Sequence, residues 1–382
     1  MSGEAGRALG EYLAVAVTPY VPAELISPDA FSRIQAAAGA LPGAMTDFFG
    51  FECPLGTDEP LADFLICCRI RHGSREFLAG QTRAGTLPEG AVWRRAVAFA
   101  KEWAKPGSPL FHGVHNLWFE FDLNRGETAD AMPSVFLGSD RLGRSSPEEC
   151  AWLTDLALPL LFGRELEAEV RAHVTRALGL LPPDARLFQI GLMLSRPSAP
   201  VRLCLRGIPR SALGAYLEEL NWAGSGAGLD PLLAALGEYA ERIDLDFDAA
   251  GRLQPKIGLE CYLGPGRARL SRFLAYLVGA KVCTEKKARA VEFWPGMAHG
   301  PERPAAEGHK VFVRAFHHAK IVFDPGAPAQ AKAYLGVHHR RLTRDQFDRA
   351  LRGEAPTPGA RLKGRAPSPE IDENPPLGAA RA

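Results

Sequence analysis

The most regular feature of the chain is a series of short segments in which apolar and polar side chains alternate. These segments come in pairs, with longer stretches of helical apolar spacing between them. Alternation at every second residue marks a strand with two unlike faces, whereas apolar positions three and four apart mark a helix lying on a core. Five strand pairs are predicted. The first three are Phe49–Pro54 with Ala62–Ile70, Asn116–Leu123 with Met132–Gly138, and Arg186–Ser195 with Val201–Gly207. The fourth joins Arg242–Asp248 to Pro255–Leu263 and the fifth joins Phe316–Asp324 to Gln330–Gly336. Gly, Pro and Asp punctuate the turns, as in Pro197 and Pro200, Ala250-Gly251 and Pro325-Gly326, which is the chemistry of antiparallel hairpins.

Helical spacing fills the intervals. Ala91–Trp103 carries Val92, Ala96, Phe99 and Trp103 on one stripe, and Pro209–Trp222 carries Leu213, Tyr216, Leu217 and Leu220. Leu270, Phe273, Leu274 and Leu277 repeat the pattern, and Pro147–Leu178 is long enough for two helices, with Pro147, Glu148 and Glu149 as a start signal. Successive hairpins begin roughly 55–70 residues apart, a degenerate repeat of helix–hairpin–helix units. The expected organisation is an N-terminal helical segment over 1–45, an α/β (α+β) body over 46–352, and a disordered tail over 353–382. The tail is rich in Pro, Gly and charge and lacks periodicity.

The two faces of each strand differ in character. In the second pair Leu117, Phe119, Phe121 and Leu123 oppose Asn116, Trp118, Glu120 and Asp122; in the third, Val201, Leu203 and Leu205 oppose Arg202, Cys204 and Arg206. In the fourth, Ile257, Leu259, Cys261 and Leu263 oppose Lys256, Gly258, Glu260 and Tyr262. In the fifth, Ala331, Ala333 and Leu335 oppose Lys332 and Tyr334, while His318 and Lys320 share a face of the neighbouring strand. The apolar faces should pack on helices. The polar faces then look either to solvent, as in an open sheet, or into a barrel lumen. Bulky aromatics mixed with charge at one parity favour a wet lumen, and ten strands closing on themselves leave no exposed edge.

Composition narrows the function. At 382 residues, with 46% hydrophobic and 23% charged residues, the chain can bury a large core. A formal net charge of +1 provides no global field for nucleic acid or an anionic membrane, so any phosphate site must be a local cluster. The seven cysteines include no CxxC pair and read as buried thiols of a reducing compartment. No basic start leads into a long apolar run, and no apolar stretch is long enough to span a bilayer, so a cytoplasmic location is expected. GxGxxG after a strand, GxxxxGK[ST] and GxSxG are absent, and Gly224-Ser225-Gly226 reads as linker. His317-His318 and His338-His339 should point to opposite faces of their strands, with no Cys or carboxylate at ligand spacing, so no metal site is expected.

With this pattern in hand, the chain resembles the aromatic prenyltransferases of the dimethylallyltryptophan synthase type. The resemblance spans roughly Phe49 to Val337 and is carried by Gly50-Phe51-Glu52-Cys53, by Phe121-Asp122-Leu123 followed by Pro133–Gly138, and by Asp246–Gly251 followed by Leu259-Glu260-Cys261-Tyr262. Lys332-Ala333-Tyr334 matches the family's Lys-x-Tyr strand, and Arg202-Leu203-Cys204-Leu205-Arg206 matches its third unit in part. The resemblance implies a ten-stranded antiparallel barrel of five α-β-β-α units ringed by helices. It further implies transfer of an allylic group from a prenyl diphosphate to an aromatic small molecule or peptide residue, without metal or other cofactor. The chain departs from the pattern at Ser134 and Phe136, at Cys204 and Arg206, and at Glu260, so fewer cations and tyrosines reach the diphosphate site.

An allylic diphosphate that ionises needs fixed cations for its leaving group and aromatic faces for its cation. Arg202, Arg206, Lys256, Lys320 and Lys332 share the inner parity and are the candidate diphosphate ligands, with Tyr262 and Tyr334 beside them and Trp118 as a further shield. The resemblance places Glu52 at the acceptor as orienting carboxylate and proton acceptor. The bland alternative for these cations is a solvated outer face. Two other functions fit the same barrel: a ligand- or peptide-binding partner in a biosynthetic pathway with an eroded diphosphate site, and an enzyme for another anionic metabolite.

Overall fold

Each predicted pair forms an antiparallel hairpin in the computed structural model, which describes residues 7–81, 86–125, 132–196, 198–224, 228–299 and 309–343. Pro197, Ser225, Gly226 and the expected tail over 353–382 lie outside the described residues. The strands are β1 (Phe48–Pro54) with β2 (Asp63–Arg69), β3 (Asn116–Phe121) with β4 (Ser134–Leu142), β5 (Arg186–Leu192) with β6 (Val201–Arg206), and β7 (Arg242–Ala249) with β8 (Leu253–Tyr262). After β9 (Gly296–His299), the last hairpin is β10 (His309–Phe323) with β11 (Gln330–Leu342).

Consecutive hairpins also pair with one another, and β11 returns to β1 with Phe51 opposite Leu335 and Glu52 opposite Tyr334. The ring β1–β8, β10, β11 is therefore a closed ten-stranded antiparallel barrel. Closure satisfies the backbone donors and acceptors that an edge strand would present. An eleventh strand, β9, lies outside the five predicted pairs. Short β9 pairs with the upper arm of β10, Val311–Arg314, beyond the stretch that joins β8. That arm is apolar on both faces: Phe312 joins the main core, whereas Val311 and Val313 form a small cluster with Met297 and Leu342. Alternation is absent from such a segment.

Helices surround the ring, among them Leu9–Ala16, Pro28–Gly39, Ala91–Trp103, Ala168–Gly179, Arg210–Glu219, Leu229–Gly237, Arg267–Gly279 and Glu285–Phe293. The helix starting at Pro147 is fixed by a capping box, in which the Glu149 N–H donates to Ser146 Oγ (3.3 Å) and the Ser146 N–H donates to Glu149 Oε2 (2.7 Å). It runs through a π-helical segment, Trp152–Ala157, to Phe162, where Gly163 (φ 75°) ends it.

The apolar strand faces point outward onto these helices, within one continuous core. Leu245 and Phe247 of β7, Ile257 and Leu259 of β8, and Leu203 and Leu205 of β6 belong to the same buried cluster as Leu213, Leu236, Phe273 and Leu277 of the helices. Each such side chain contributes roughly 1.5–3 kcal/mol on burial. With the apolar faces turned out, the polar faces turn inward and form the lumen. All seven cysteines are buried. Among the described residues no helix is long and apolar enough to cross a membrane.

Candidate active site

The polar faces enclose a cavity of about 360 Å³. Six of the nine residues singled out from the sequence line it: Trp118 from β3, Arg202 and Arg206 from β6, Tyr262 from β8, Lys320 from β10 and Tyr334 from β11. Phe48, Phe136 and Phe188 add aromatic wall. Glu52 and Lys332 are not among the lining residues. They form an ion pair with each other, and the Tyr334 hydroxyl donates to the second Glu52 oxygen. Lys256 shares the face of β8 that carries Glu260 and Tyr262, yet it is solvent-exposed and does not line the cavity.

Every other predicted cation inside the barrel is met by a carboxylate from β7. Strict alternation sends Ile243, Leu245 and Phe247 to the core and leaves Asp244, Asp246 and Asp248 on the opposite, inner face. Arg202 makes a two-pronged contact with Asp248, donating from Nε at 2.7 Å and from Nη2 at 2.9 Å. Lys320 Nζ lies 2.7 Å from Asp246, and Arg206 and Arg242 both donate to Asp244 at 3.1 and 3.0 Å. These pairs are shielded from water: the Asp244 and Asp246 side chains are 0% and 3% exposed. A buried carboxylate of this kind is required to hold several cations together, and the cations are required to hold it ionised.

Gly258 makes the Lys320–Asp246 contact possible. A Cβ at this position would overlap both the Asp246 carboxylate and the Lys320 side chain. On the far side of Lys320, His318 is sandwiched between the Tyr334 ring (centroids 4.2 Å apart) and the Tyr262 ring (4.8 Å). Arg242 stacks over the outer side of Tyr262 at 3.9 Å. The result is a layered wall of cation, phenol, imidazole and phenol from four strands.

The parity argument fails at one place, with a consequence for the histidines. A β-bulge between Phe316 and His318 inserts an extra residue into β10. His317 and His318 therefore both line the cavity, instead of facing opposite ways, and their Nδ1 atoms are 2.7 Å apart in a hydrogen bond. The same bulge inverts the parity above it. Arg314 faces outward, donating to the carbonyls of Trp294 and Ala16, both at 3.3 Å. Among the described residues, no group of three His, Cys, Asp or Glu could hold a metal ion.

Burial and charge sort the acids of the lumen into two classes. Burial raises Glu52, but Lys332 and Lys320 and the hydrogen bonds from Lys332 and Tyr334 outweigh it and hold the carboxyl at about 2. Burial lifts Glu120, with Glu52 adding to the effect, to about 8. Burial and Asp246 lift Glu260 to about 7, against Lys320. Burial with Glu52 and Asp122 lifts Asp63 to about 7. His318 is driven well below its ordinary value by burial and by His317, Lys320, Arg242 and Arg206, so its imidazole is neutral. Glu120, Glu260 and the three aspartates lay on the inner parity of the sequence; what alternation could not show was their pairing and their protonation.

Comparison with known proteins adds a likeness of shape. Two crystal structures of prenyltransferase PriB are similar to this chain. The apo form has a TM-score of 0.45 and 17% identity, covering 83% of this chain and 94% of that one. The ternary complex of that protein with L-tryptophan and dimethylallyl thiolodiphosphate has a TM-score of 0.43 and 16% identity, covering 88% and 96%. No protein-family model and no curated protein matches the chain.

Proposed function

We propose that the protein transfers an allylic prenyl group from a prenyl diphosphate to an aromatic acceptor, a small molecule or an aromatic residue of a peptide, inside the barrel. The observation that carries this reading is the lumen wall itself. Arg202, Arg206 and Lys320 lie beside Trp118, Phe136, Tyr262 and Tyr334 around one enclosed cavity. Ionisation breaks the allylic C–O bond, the electron pair leaves with the diphosphate, and the cation formed is shielded by aromatic faces until the acceptor ring captures it.

The five cations Arg196, Arg202, Arg206, Arg242 and Lys320 share Asp244, Asp246 and Asp248, which leaves this cluster with two more cations than carboxylates before a ligand enters. Glu120 is protonated at neutral pH and Glu260 is near its midpoint, so neither opposes an anion as a full carboxylate would. In this reading Glu52 acts through its partners: with both oxygens taken, one by Lys332, it anchors Tyr334 at the cavity wall. It is a positioning residue.

One observation favours a second reading, a non-catalytic barrel that binds a small ligand or peptide. Each lumen cation already has an aspartate partner, so a diphosphate must compete for it. Thermal-shift measurements with dimethylallyl and geranyl diphosphate, against inorganic pyrophosphate, separate the two, because a ligand of the folded state raises the melting temperature. The transferase reading expects a rise with the prenyl diphosphates and their turnover with an aromatic acceptor. No shift with any diphosphate would leave the binding barrel.

A further inference from the structure

We propose that Glu260, His318 and His317 form a proton-accepting relay in the lumen, with Glu260 as the group that meets the ligand. The inference deepens the prenyl-transfer reading and rests on it for the source of the proton. Capture of the allyl cation makes a carbon–carbon bond and leaves a cationic ring. The ring C–H bond then breaks, its electron pair restores aromaticity, and the proton must go to a base. Glu52 is poorly suited: its oxygens are occupied by Lys332 and Tyr334, and it does not line the cavity.

Glu260 does line it. Its Oε2 accepts a hydrogen bond from the Tyr262 hydroxyl (2.9 Å) and lies 3.8 Å from His318 Nε2. That nitrogen is buried and has no hydrogen-bond partner, so a small shift of either side chain completes the contact. The opposite nitrogen of His318 is joined to His317 at 2.7 Å, where one ring donates and the other accepts. Stacking between Tyr262 and Tyr334 fixes the ring plane of His318, and the bulge before it brings His317 to the same side. A proton taken by Glu260 therefore stays on its carboxyl, whose O–H can donate to the free His318 Nε2, while the hydrogen bond to His317 at Nδ1 holds His318 as the neutral acceptor.

The charged and titratable groups around the relay come from every neighbouring strand. They are Asp244, Asp246 and Arg242 of β7, Cys204 and Arg206 of β6, Lys320 of β10, Tyr334 of β11 and Tyr262 of β8. With burial, they leave Glu260 near 7 and the His318 imidazole neutral, the state in which Glu260 takes the proton and His318 accepts its hydrogen bond. Below that value Glu260 already carries a proton, so turnover should rise with pH through about 7.

The test has a kinetic arm and a spectroscopic arm. In the wild-type protein kcat should climb with pH through about 7. Glu260→Gln should lower kcat by at least ~10²-fold with little change in KM and abolish that limb. His318→Asn should lower kcat and displace the limb. A Glu260→Gln protein within twofold of wild type, or a wild-type profile flat through neutrality, overturns the inference. Independently of activity, the ¹⁵N shifts of the His318 ring should report a titration step near pH 7 in the wild type, which disappears in Glu260→Gln. An identical His318 titration in both proteins overturns the relay. If the step is linked but no aromatic is prenylated, the relay stands and the transfer reading falls.

Discussion

At the residue scale, the lumen acids that matter most are those with no obvious role in a sequence motif. Glu120 is the clearest. It lines the cavity beside Trp118, and burial together with Glu52 raises its carboxyl to about 8. In an unfolded chain it would ionise near 4.5. A raised acid contributes stability that is present below the unfolded value and is lost as pH rises through the folded one. Between pH 5 and 8 the native protein must therefore lose stability on account of Glu120, and Asp63 and Glu260 act in the same direction. Glu120→Gln, which keeps the neutral shape, should melt at least ~3 °C above wild type at pH 8 and close to it at pH 5. Equal melting temperatures at both pH values would show that Glu120 is not held neutral. Glu52 has the opposite sign: its lowered value contributes stability above about 4.5 that is lost as pH falls toward 2.

At the scale of the element, β7 and β8 show how much of the site was legible and where legibility stopped. The five hairpins could be read from alternation, because over the paired stretches that form the hairpins the outer face packs apolar side chains against helices. The inward set Arg202, Arg206, Tyr262, Lys320 and Tyr334 could be read from parity alone. Three things could not. Lys256 has the right parity but lies too far along β8 to be enclosed, and alternation does not report depth. His317 faces inward only because of a bulge, which inserts one residue without a sequence mark. The pairing of Asp244, Asp246 and Asp248 with cations depends on which strands are neighbours around the ring. Gly258, by contrast, is the lone missing side chain on the inner face of β8, and its reason is the Lys320–Asp246 pair packed against it. Gly258→Ala should force that pair apart and cost about 1–3 kcal/mol, seen as a lower midpoint in urea denaturation with an unchanged slope. A variant as stable as wild type would mean that the pair tolerates a methyl group there.

At the scale of the whole molecule, the cavity exists only because the first and last strands of the ring meet. β1 pairs with β11 from Phe48 opposite His338 to Pro54 opposite Lys332, and the Glu52–Lys332 and Glu52–Tyr334 contacts span that same seam. The seam joins segments separated by most of the sequence, so its formation must follow closure of a very long loop, and nothing local compensates until the ring is complete. The other nine strands cannot enclose a lumen without β11, because β1 and β10 would then each present an unpaired edge. The apolar outer faces would remain covered by helices, but the inner charges would be opened to water and the Tyr334 layer lost. A chain ending at Ala329 should therefore lose its cooperative thermal transition and elute as aggregates in size-exclusion chromatography, while the full chain melts in one step. A monomeric, cooperatively melting product would show that the barrel can stand open. In that case the wall of Arg202, Lys320 and Tyr262, on which the proposed prenyl transfer depends for excluding water, would not require closure.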